Sequence, residues 1–237
     1  MIFGIKVIIV KYLCDYFFVW NLEIIHQKYV NVDITNGDAG KGFSASGLST
    51  YIYCPLKFYF EQIAKIRSDE DLIGINPMVF GRILHKTMEL IYSGQKSLTP
   101  DFFNKVISQI EYYVDQATSL EYSSKELYGN DYLLIKVIEE LVGKIIAIDK
   151  ETPTLQILNV EEKFSFVHPL KEGEQILIKG IFDRLDFTNN TIRILDYKTG
   201  SGNVSIPKDV SSVFTNSDNK IVFQLLLYVY ILSKTSP

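Results

Sequence analysis

Three side chains suited to metal and phosphate chemistry lie close together in the sequence: Asp183, Asp196 and Lys198. Mg²⁺ prefers oxygen ligands and is usually bound by one or two carboxylates together with waters and phosphate oxygens. Such an ion activates a water and stabilises charge on a phosphate, while a nearby ammonium helps to orient or deprotonate that water. The residue types therefore predict a metal-dependent reaction at a phosphate, if the fold brings them together.

A β-hairpin is predicted around these residues. Segments 176–187 and 191–199 are rich in β-branched and apolar side chains, as strands are. Between them, Asn189 and Asn190 tolerate the positive φ that a two-residue hairpin turn demands. The sequence therefore predicts two antiparallel strands that are joined by the two asparagines.

In this register the two aspartates face each other. Asp183 lies directly opposite Asp196, where like charges are destabilising unless a cation removes the repulsion. Lys198 shares the face of Asp196, because side chains alternate along a strand. An acidic pair on a hairpin is also common at a solvated surface, so the residues alone leave both interpretations open.

A glutamate in the preceding predicted strand, 155–167, is a further candidate. Alternation places Glu162 on the same face as Val160 and Phe164, and its neighbour Glu161 on the opposite face. A charge buried without a partner is costly, so a metal, a metal-bound water or the lysine is the expected neighbour of Glu162. The alternative is a glutamate in solvent at the end of the strand.

Five motifs occur along the chain in a fixed order. They are Ser44 to Phe60, Gly81-Arg-Ile-Leu-His85, Gly180-Ile-Phe-Asp-Arg-Leu-Asp186, Leu195-Asp-Tyr-Lys-Thr-Gly200 and Gln224-Leu-Leu-Leu-Tyr228. In type and order they resemble the motifs of the PD-(D/E)XK nuclease superfamily. The resemblance is to its RecB-like branch, which includes the nuclease domains of RecB and AddB and a CRISPR-associated exonuclease.

The resemblance implies roles for these residues. Asp183 and Asp196 match the family's metal-binding carboxylates, and Lys198 matches its catalytic lysine. The backbone carbonyl of Tyr197 is implied as a further metal ligand. His85 matches the histidine that this branch adds as a metal ligand from an N-terminal helix. Taken without the family, this histidine is better explained as an ordinary polar residue beside an apolar helical stripe, formed by Phe80, Leu84, Met88 and Ile91.

Two further roles follow from the resemblance. The family often has a glutamate before the hairpin, which matches the proposed catalytic Glu162. Gln224 and Tyr228, four residues apart on one face of a predicted helix over 221–232, match a motif associated with substrate positioning. A core-facing tyrosine in an apolar helix is the alternative for Tyr228.

The resemblance implies a Mg²⁺- or Mn²⁺-dependent DNA nuclease that hydrolyses phosphodiesters. An exonuclease domain of a helicase–nuclease system for DNA repair and recombination is expected, with DNA as the substrate. The chain contains no Walker motif, so a helicase or ATPase is expected in another domain or subunit. The alternatives are a non-catalytic DNA-binding module of a repair complex and a CRISPR-adaptation-type exonuclease.

The cysteines bear on a different cofactor. Several relatives bind an iron–sulfur cluster through four cysteines, and Cys54 matches the first of them. The chain contains only Cys14 and Cys54, and such clusters normally need four thiolates, so no complete iron–sulfur cluster is expected in this polypeptide. Cys54, which precedes Pro55, is predicted to be a buried thiol at the end of a helix. Two cysteines without the spacing of a disulfide framework fit a reducing compartment, so a cytoplasmic location is expected.

The composition is that of a globular domain with a sizeable core: 237 residues, of which 47% are hydrophobic. The net charge of −4 does not itself indicate nucleic-acid binding, which usually shows a basic footprint. Phosphate contacts would then come from a local basic track, for which the candidates are Lys57, Lys65, Arg67, Arg82, Lys86, Lys179 and Arg184.

The expected fold is α/β, with a restriction-endonuclease-like mixed central sheet flanked by helices. Residues 43–237 form the predicted nuclease domain, with a helical insert at about 101–150. Residues 1–42 are an apolar segment and a linker outside the resemblance. Charges interrupt the first 20 residues, so an accessory element is favoured over a membrane anchor or signal peptide, and no membrane association is expected.

Overall fold

The computed structural model describes residues 42–66, 75–95, 98–122, 127, 129–169, 175–199 and 206–235. Within these ranges the strands are β1 (Phe43–Ser44), β2 (Gln156–Pro169), β3 (Gln175–Thr188) and β4 (Thr191–Leu195). The α-helices are α1 (Ala45–Tyr53), α2 (Pro55–Phe58), α3 (Pro77–Tyr92), α4 (Pro100–Ser108), α5 (Ile110–Glu121), α6 (Asn130–Glu151) and α7 (Lys220–Thr235). A π-helical turn spans Tyr59–Ile63, and 3₁₀ turns span Val210–Phe214 and Ser217–Asn219. The predicted N-terminal segment lies outside the described residues, apart from its last residue.

The strands form one mixed sheet in which β3 is central. Strand β1 pairs with β3 in parallel, β4 pairs with β3 in antiparallel orientation, and β2 is the neighbour of β3 on its other side. A four-stranded mixed sheet with helices confirms the predicted α/β class.

The predicted hairpin turn and register are confirmed. Pairing runs from Arg184 opposite Leu195 to the turn, and both turn asparagines have positive φ, 47° and 60°. The second strand is shorter than predicted, because β4 ends at Leu195. Asp196 and Lys198 therefore lie in the irregular segment that follows the strand, next to its end.

The chain divides into two compact units. The first unit combines the described parts of 69–162 and 182–201, and the second unit combines those of 7–68, 163–181 and 202–237. Strands β2 and β3 each contribute residues to both units. Every residue of the candidate active site described below, except Gln224 and Tyr228, belongs to the first unit.

Helix α3 is the main positioning element of the first unit. Asn76 caps it by accepting hydrogen bonds from two backbone N–H groups, at 2.9 and 3.0 Å, and Pro77 occupies the first helical position. Its apolar face packs against α5 and α6, and its buried residues are Val79, Ile83, Leu84, Thr87, Met88, Ile91 and Tyr92. Most of the predicted apolar stripe is therefore core, and His85 lies at its edge.

The apolar periodicity of the predicted insert indicates two helices, at about 101–120 and 131–150, whereas the structure has three. The first predicted helix is interrupted at Gln109, whose φ of −122° lies outside the helical range. Gln109 is both the C-cap of α4 and the N-cap of α5. Helices α4 and α5 both contribute buried residues to the core around α6. The interruption therefore changes the direction of the chain while the apolar faces of both helices stay buried.

The second unit packs α1 and α7 against each other and against short turns. Its fully buried side chains include Leu48, Val213, Leu227 and Ile231. Ser44 caps α1 by accepting a hydrogen bond from the N–H of Gly47 at 3.1 Å. Across the described part of the chain, no helix combines the length and the hydropathy that a bilayer crossing requires.

Cys54 ends α1 as predicted, but its burial was predicted wrongly. Its N–H donates to the carbonyl of Thr50 at 2.8 Å, as expected for a helix cap. The side chain is exposed, because Cys54 is an extended link (φ −153°) between α1 and α2. Such links lie at the surface, where their backbone groups reach water.

Candidate active site

Three potential metal ligands converge from three elements of the first unit. His85 is on α3, Glu161 on β2 and Asp183 on β3, and one ligand atom from each lies within 4.8 Å of the other two. Nδ1 of His85 is 3.1 Å from Oε1 of Glu161 and 3.5 Å from Oδ1 of Asp183. One imidazole nitrogen and two carboxylate oxygens are a suitable donor set for a divalent cation.

The main chain of Tyr197 holds two of these side chains in place. Its N–H donates to Oδ2 of Asp183 at 2.6 Å, and its carbonyl accepts a hydrogen bond from Nε2 of His85 at 3.0 Å. Because a carbonyl can only accept, Nε2 carries the proton, and Nδ1 faces the carboxylates. Tyr197 thus holds the imidazole ring in its orientation, as the outer partners of metal-binding histidines generally do.

Asp196 and Lys198 form an ion pair next to this cluster. Nζ of Lys198 lies 2.8 Å from Oδ2 and 3.1 Å from Oδ1 of Asp196. Asp196 is buried, whereas the lysine side chain keeps 33% of its surface exposed. The charge of Asp196 still acts on Asp183, whose pKa it raises. Asp196 and Lys198 therefore form a second group next to the cluster of His85, Glu161 and Asp183, and the charge of Asp196 couples the two groups.

The crowding of acids changes the protonation of the cluster. Burial is the largest cause that raises the pKa of Asp183, to about 7; the charge of His85 opposes the rise and that of Asp196 adds to it. Burial alone would lower the pKa of His85, but the hydrogen bond to Glu161 and the charge of Asp183 outweigh it and raise this pKa to about 9. The imidazolium thus supplies positive charge that a divalent ion would otherwise supply, and metal binding would release its Nδ1 proton.

The structure brings Glu161 to the cluster, and the predicted register around Glu162 is wrong. Glu161 has a positive φ of 49°, a left-handed conformation that interrupts alternation as a β-bulge does. Positions 163 and 165, which alternation would place on the Glu161 face, are exposed, whereas Phe164 and Phe166 are partly buried. Glu162 itself is exposed. The sequence contains no signal of this conformation, because neither glycine nor asparagine occupies the position.

A buried ion-pair network adjoins the site and was missed from the sequence. Arg184, fully buried, donates to both carboxylate oxygens of Asp149 and, through Nε, to Asp186 at 2.9 Å. Its guanidinium lies 4.8 Å from the centre of the Tyr92 ring and 3.4 Å from the hydroxyl of Tyr197. The predicted phosphate contact of Arg184 is therefore wrong, because no part of this side chain is accessible.

An open cleft of about 470 Å³ lies over the site. Its lining comes from α3, from the segment after β4, and from one glutamate each of α5 and β2. It includes Gly81, Arg82, His85, Lys86, Glu121, Glu161, Tyr197 and Lys198. Arg82 and Lys86 belong to the predicted basic track; they pair with Glu121 at 3.3 Å and Glu89 at 2.8 Å. Lys57, Lys65 and Lys179 lie in the second unit, and Arg67 is outside the described residues.

Residues 42–237 match the family model of the PD-(D/E)XK nuclease superfamily. This chain belongs to the PD-(D/E)XK nuclease superfamily. The match confirms the resemblance that the five motifs indicate. A relative of this PD-(D/E)XK chain is a subunit of the ATP-dependent helicase/deoxyribonuclease of Carboxydothermus hydrogenoformans, 28% identical over 212 residues. The alignment covers 82% of this chain but only 18% of that relative's length.

The last motif of this PD-(D/E)XK nuclease lies in the second unit, on helix α7. Nε2 of Gln224 donates to the hydroxyl of Tyr228 at 2.7 Å, so the two side chains share one helix face as predicted. The Tyr228 ring is buried and meets the edge of Phe164, with ring centres 5.8 Å apart. Tyr228 thus has the core packing of the alternative interpretation, and the substrate-positioning role of both residues stays a prediction.

Proposed function

We propose that this chain is a deoxyribonuclease domain that hydrolyses phosphodiester bonds with Mg²⁺ or Mn²⁺. The observation that carries the proposal is the convergence of His85, Glu161 and Asp183 beside the Asp196–Lys198 pair, at the edge of an open cleft. Membership of a nuclease superfamily supports hydrolysis of nucleic acid as the chemistry of this cleft.

The residues take the following roles in this proposal. His85, Glu161 and Asp183 would hold the ion, and Asp196 is a further ligand that the motifs predict. The Tyr197 carbonyl, the other predicted ligand, could join them only by giving up its hydrogen bond to Nε2 of His85. When bound, the ion supplies a Lewis acid for the phosphate and lowers the pKa of a bound water.

Lys198 is the proposed catalytic residue. Its ammonium lines the cleft, where it can orient the attacking water and stabilise negative charge on the phosphate. Asp196 anchors that ammonium at 2.8 Å and so fixes its position relative to the ligand cluster. A fixed donor needs little rearrangement during the reaction, which makes its electrostatic contribution larger.

The cellular setting is proposed from the relative. That protein is named as a subunit of an ATP-dependent helicase/deoxyribonuclease, and this chain spans 18% of its length. We infer an exonuclease that works in the cytoplasm with a helicase or ATPase domain or subunit, in DNA repair and recombination. Gln224 and Tyr228 would position the DNA strand.

The direct test is incubation of the purified chain with single- and double-stranded DNA that carries either a terminal or an internal label. We expect cleavage with Mn²⁺ and Mg²⁺ and none with EDTA, and rapid release of the terminal label would identify an exonuclease. Binding of DNA without cleavage under every metal condition would instead indicate a non-catalytic DNA-binding module.

A matched pair of neighbouring glutamates tests the ligand assignment. Glu161→Gln is expected to lower the cleavage rate by about 10- to 100-fold, since it removes a charged group from the cluster of potential metal ligands. Glu162→Gln makes the same chemical change at an exposed position one residue away and should leave the rate unchanged. The measurement is the cleavage rate of both variants at several Mn²⁺ concentrations. Equal effects of the two changes, or a larger effect of Glu162→Gln, would contradict the assignment of Glu161 as a metal ligand.

A further inference from the structure

The cleft contains a glycine whose presence the protein itself does not explain. Gly81 lies inside helix α3, where glycine is less favourable than alanine because it loses more backbone freedom on folding. A Cβ built on Gly81 would have Oγ1 of Thr199, 3.9 Å away, as its nearest neighbour. That is ordinary van der Waals contact, so the described residues leave room for an alanine side chain here.

Gly180 shows what a glycine required by internal packing looks like. A Cβ at Gly180 would meet the ring of Phe164 at 2.3 Å, a distance that two carbon atoms cannot adopt without displacement. Gly81 has no such neighbour, and its φ does not lie in the left-handed region. Within the part of the chain that the structure describes, neither packing nor backbone conformation therefore calls for glycine at position 81.

The empty space at Gly81 opens into the cleft. Gly81 lies one helical turn before His85, and residues four apart share a helix face. Both residues line the cleft together with Lys198 and Thr199. A strand whose phosphate is held at His85 and Lys198 would continue over this part of α3.

We infer that Gly81 is a substrate-positioning residue that lets the sugar–phosphate backbone of a DNA strand lie directly against helix α3. Without a Cβ, the helix backbone and a deoxyribose can approach to van der Waals contact; a methyl group would separate them by more than an ångström. The inference rests on the proposed function, because it takes DNA as the ligand of the cleft. Arg82 and Lys86 line the same cleft, each paired with a glutamate, and a phosphate would compete with Glu121 and Glu89 for them.

The test compares two alanine substitutions in helices of the same unit. Gly143 on α6 is the matched control, because a Cβ there would also make only an ordinary contact, 3.6 Å from Ile110. Both Gly81→Ala and Gly143→Ala should keep or raise the Tm. Gly81→Ala should raise the KM for DNA about tenfold, since small displacements of a substrate are costly, and Gly81→Val should raise it further. Gly143→Ala should leave the KM unchanged.

Two controls separate the possible failures. The increase in Tm on addition of Mn²⁺ should be the same in Gly81→Ala and in the unaltered protein, which shows that the metal site is intact. Unchanged KM values in both Gly81 variants would overturn the inference while the proposed function stands.

If the unaltered protein does not cleave DNA, the proposed function fails, and the inference is then tested by the affinity for single-stranded DNA, measured by fluorescence anisotropy. Equal affinities of the unaltered protein and Gly81→Val, or no binding by either, would overturn it.

Discussion

Asp183→Asn is expected to abolish DNA cleavage without lowering the thermal stability of the metal-free protein. The rate should fall by more than about 100-fold, because a charged ligand of the ion is lost. Stability should hold, because the asparagine oxygen can still accept the Tyr197 N–H and one of several crowded negative charges disappears. The burial that raises the pKa of Asp183 to about 7 shows that its ionised form is costly in this site.

The measurements are cleavage rates with saturating Mn²⁺ and melting curves in EDTA. Asp115→Asn, the same change at an exposed position of α5, is the control and should alter neither quantity. Lys198→Ala should also lower the rate, by about 10²- to 10⁴-fold, as loss of a proton-handling group does. It should leave the increase in Tm caused by Mn²⁺ in place. Full activity in Asp183→Asn would refute the proposed mechanism.

Arg184→Met is expected to be the most destabilising single change in the first unit. It would leave Asp149 buried with its main charged partner gone, and breaking a buried ion pair from one side costs about 3–5 kcal/mol. Arg193→Met is the matched control, because Arg193 pairs with Asp186 but is 20% exposed. Its loss should cost only about 1 kcal/mol, as for ion pairs that water can reach.

Urea unfolding of both variants measures the difference. The double change Arg184→Met with Asp149→Leu should recover much of the lost stability, because no unpaired charge then remains buried. Equal destabilisation by Arg184→Met and Arg193→Met would show that the buried network is not the main source of the effect. Failure of the double variant to recover would instead assign the effect to the buried Tyr92 hydroxyl, which donates to Asp149 and loses its acceptor in that variant.

Local features of the sequence were enough to predict the hairpin. Two adjacent asparagines with positive φ set the turn, and alternating apolar side chains set the register up to Leu195. The strand ends there because the N–H of Tyr197 bonds to the side chain of Asp183, and this contact has no local sequence signal. The same holds for the interruption at Gln109, where neither glycine nor proline marks the end of a helix.

Long-range contacts decided the parts that could not be predicted from the sequence. Whether Arg184 binds phosphate or a buried carboxylate depends on Asp149, which lies 35 positions earlier in the chain. Whether Glu161 or Glu162 enters the site depends on a left-handed backbone conformation that glutamate adopts only when its surroundings require it. Residue types identified the chemistry, whereas contacts between distant segments determined which side chains carry it.

The origin of the three ligands on separate elements has a consequence for biosynthesis. His85 and Glu161 are separated by 76 positions, and Asp183 follows on the next strand, so the donor set requires a folded span of about a hundred residues. During translation the emerging chain therefore holds no assembled cutting site until the hairpin has formed and docked. Proteolytic fragments shorter than this span likewise lack it. The distributed ligand set thus ties the proposed nuclease activity to folding of this whole span.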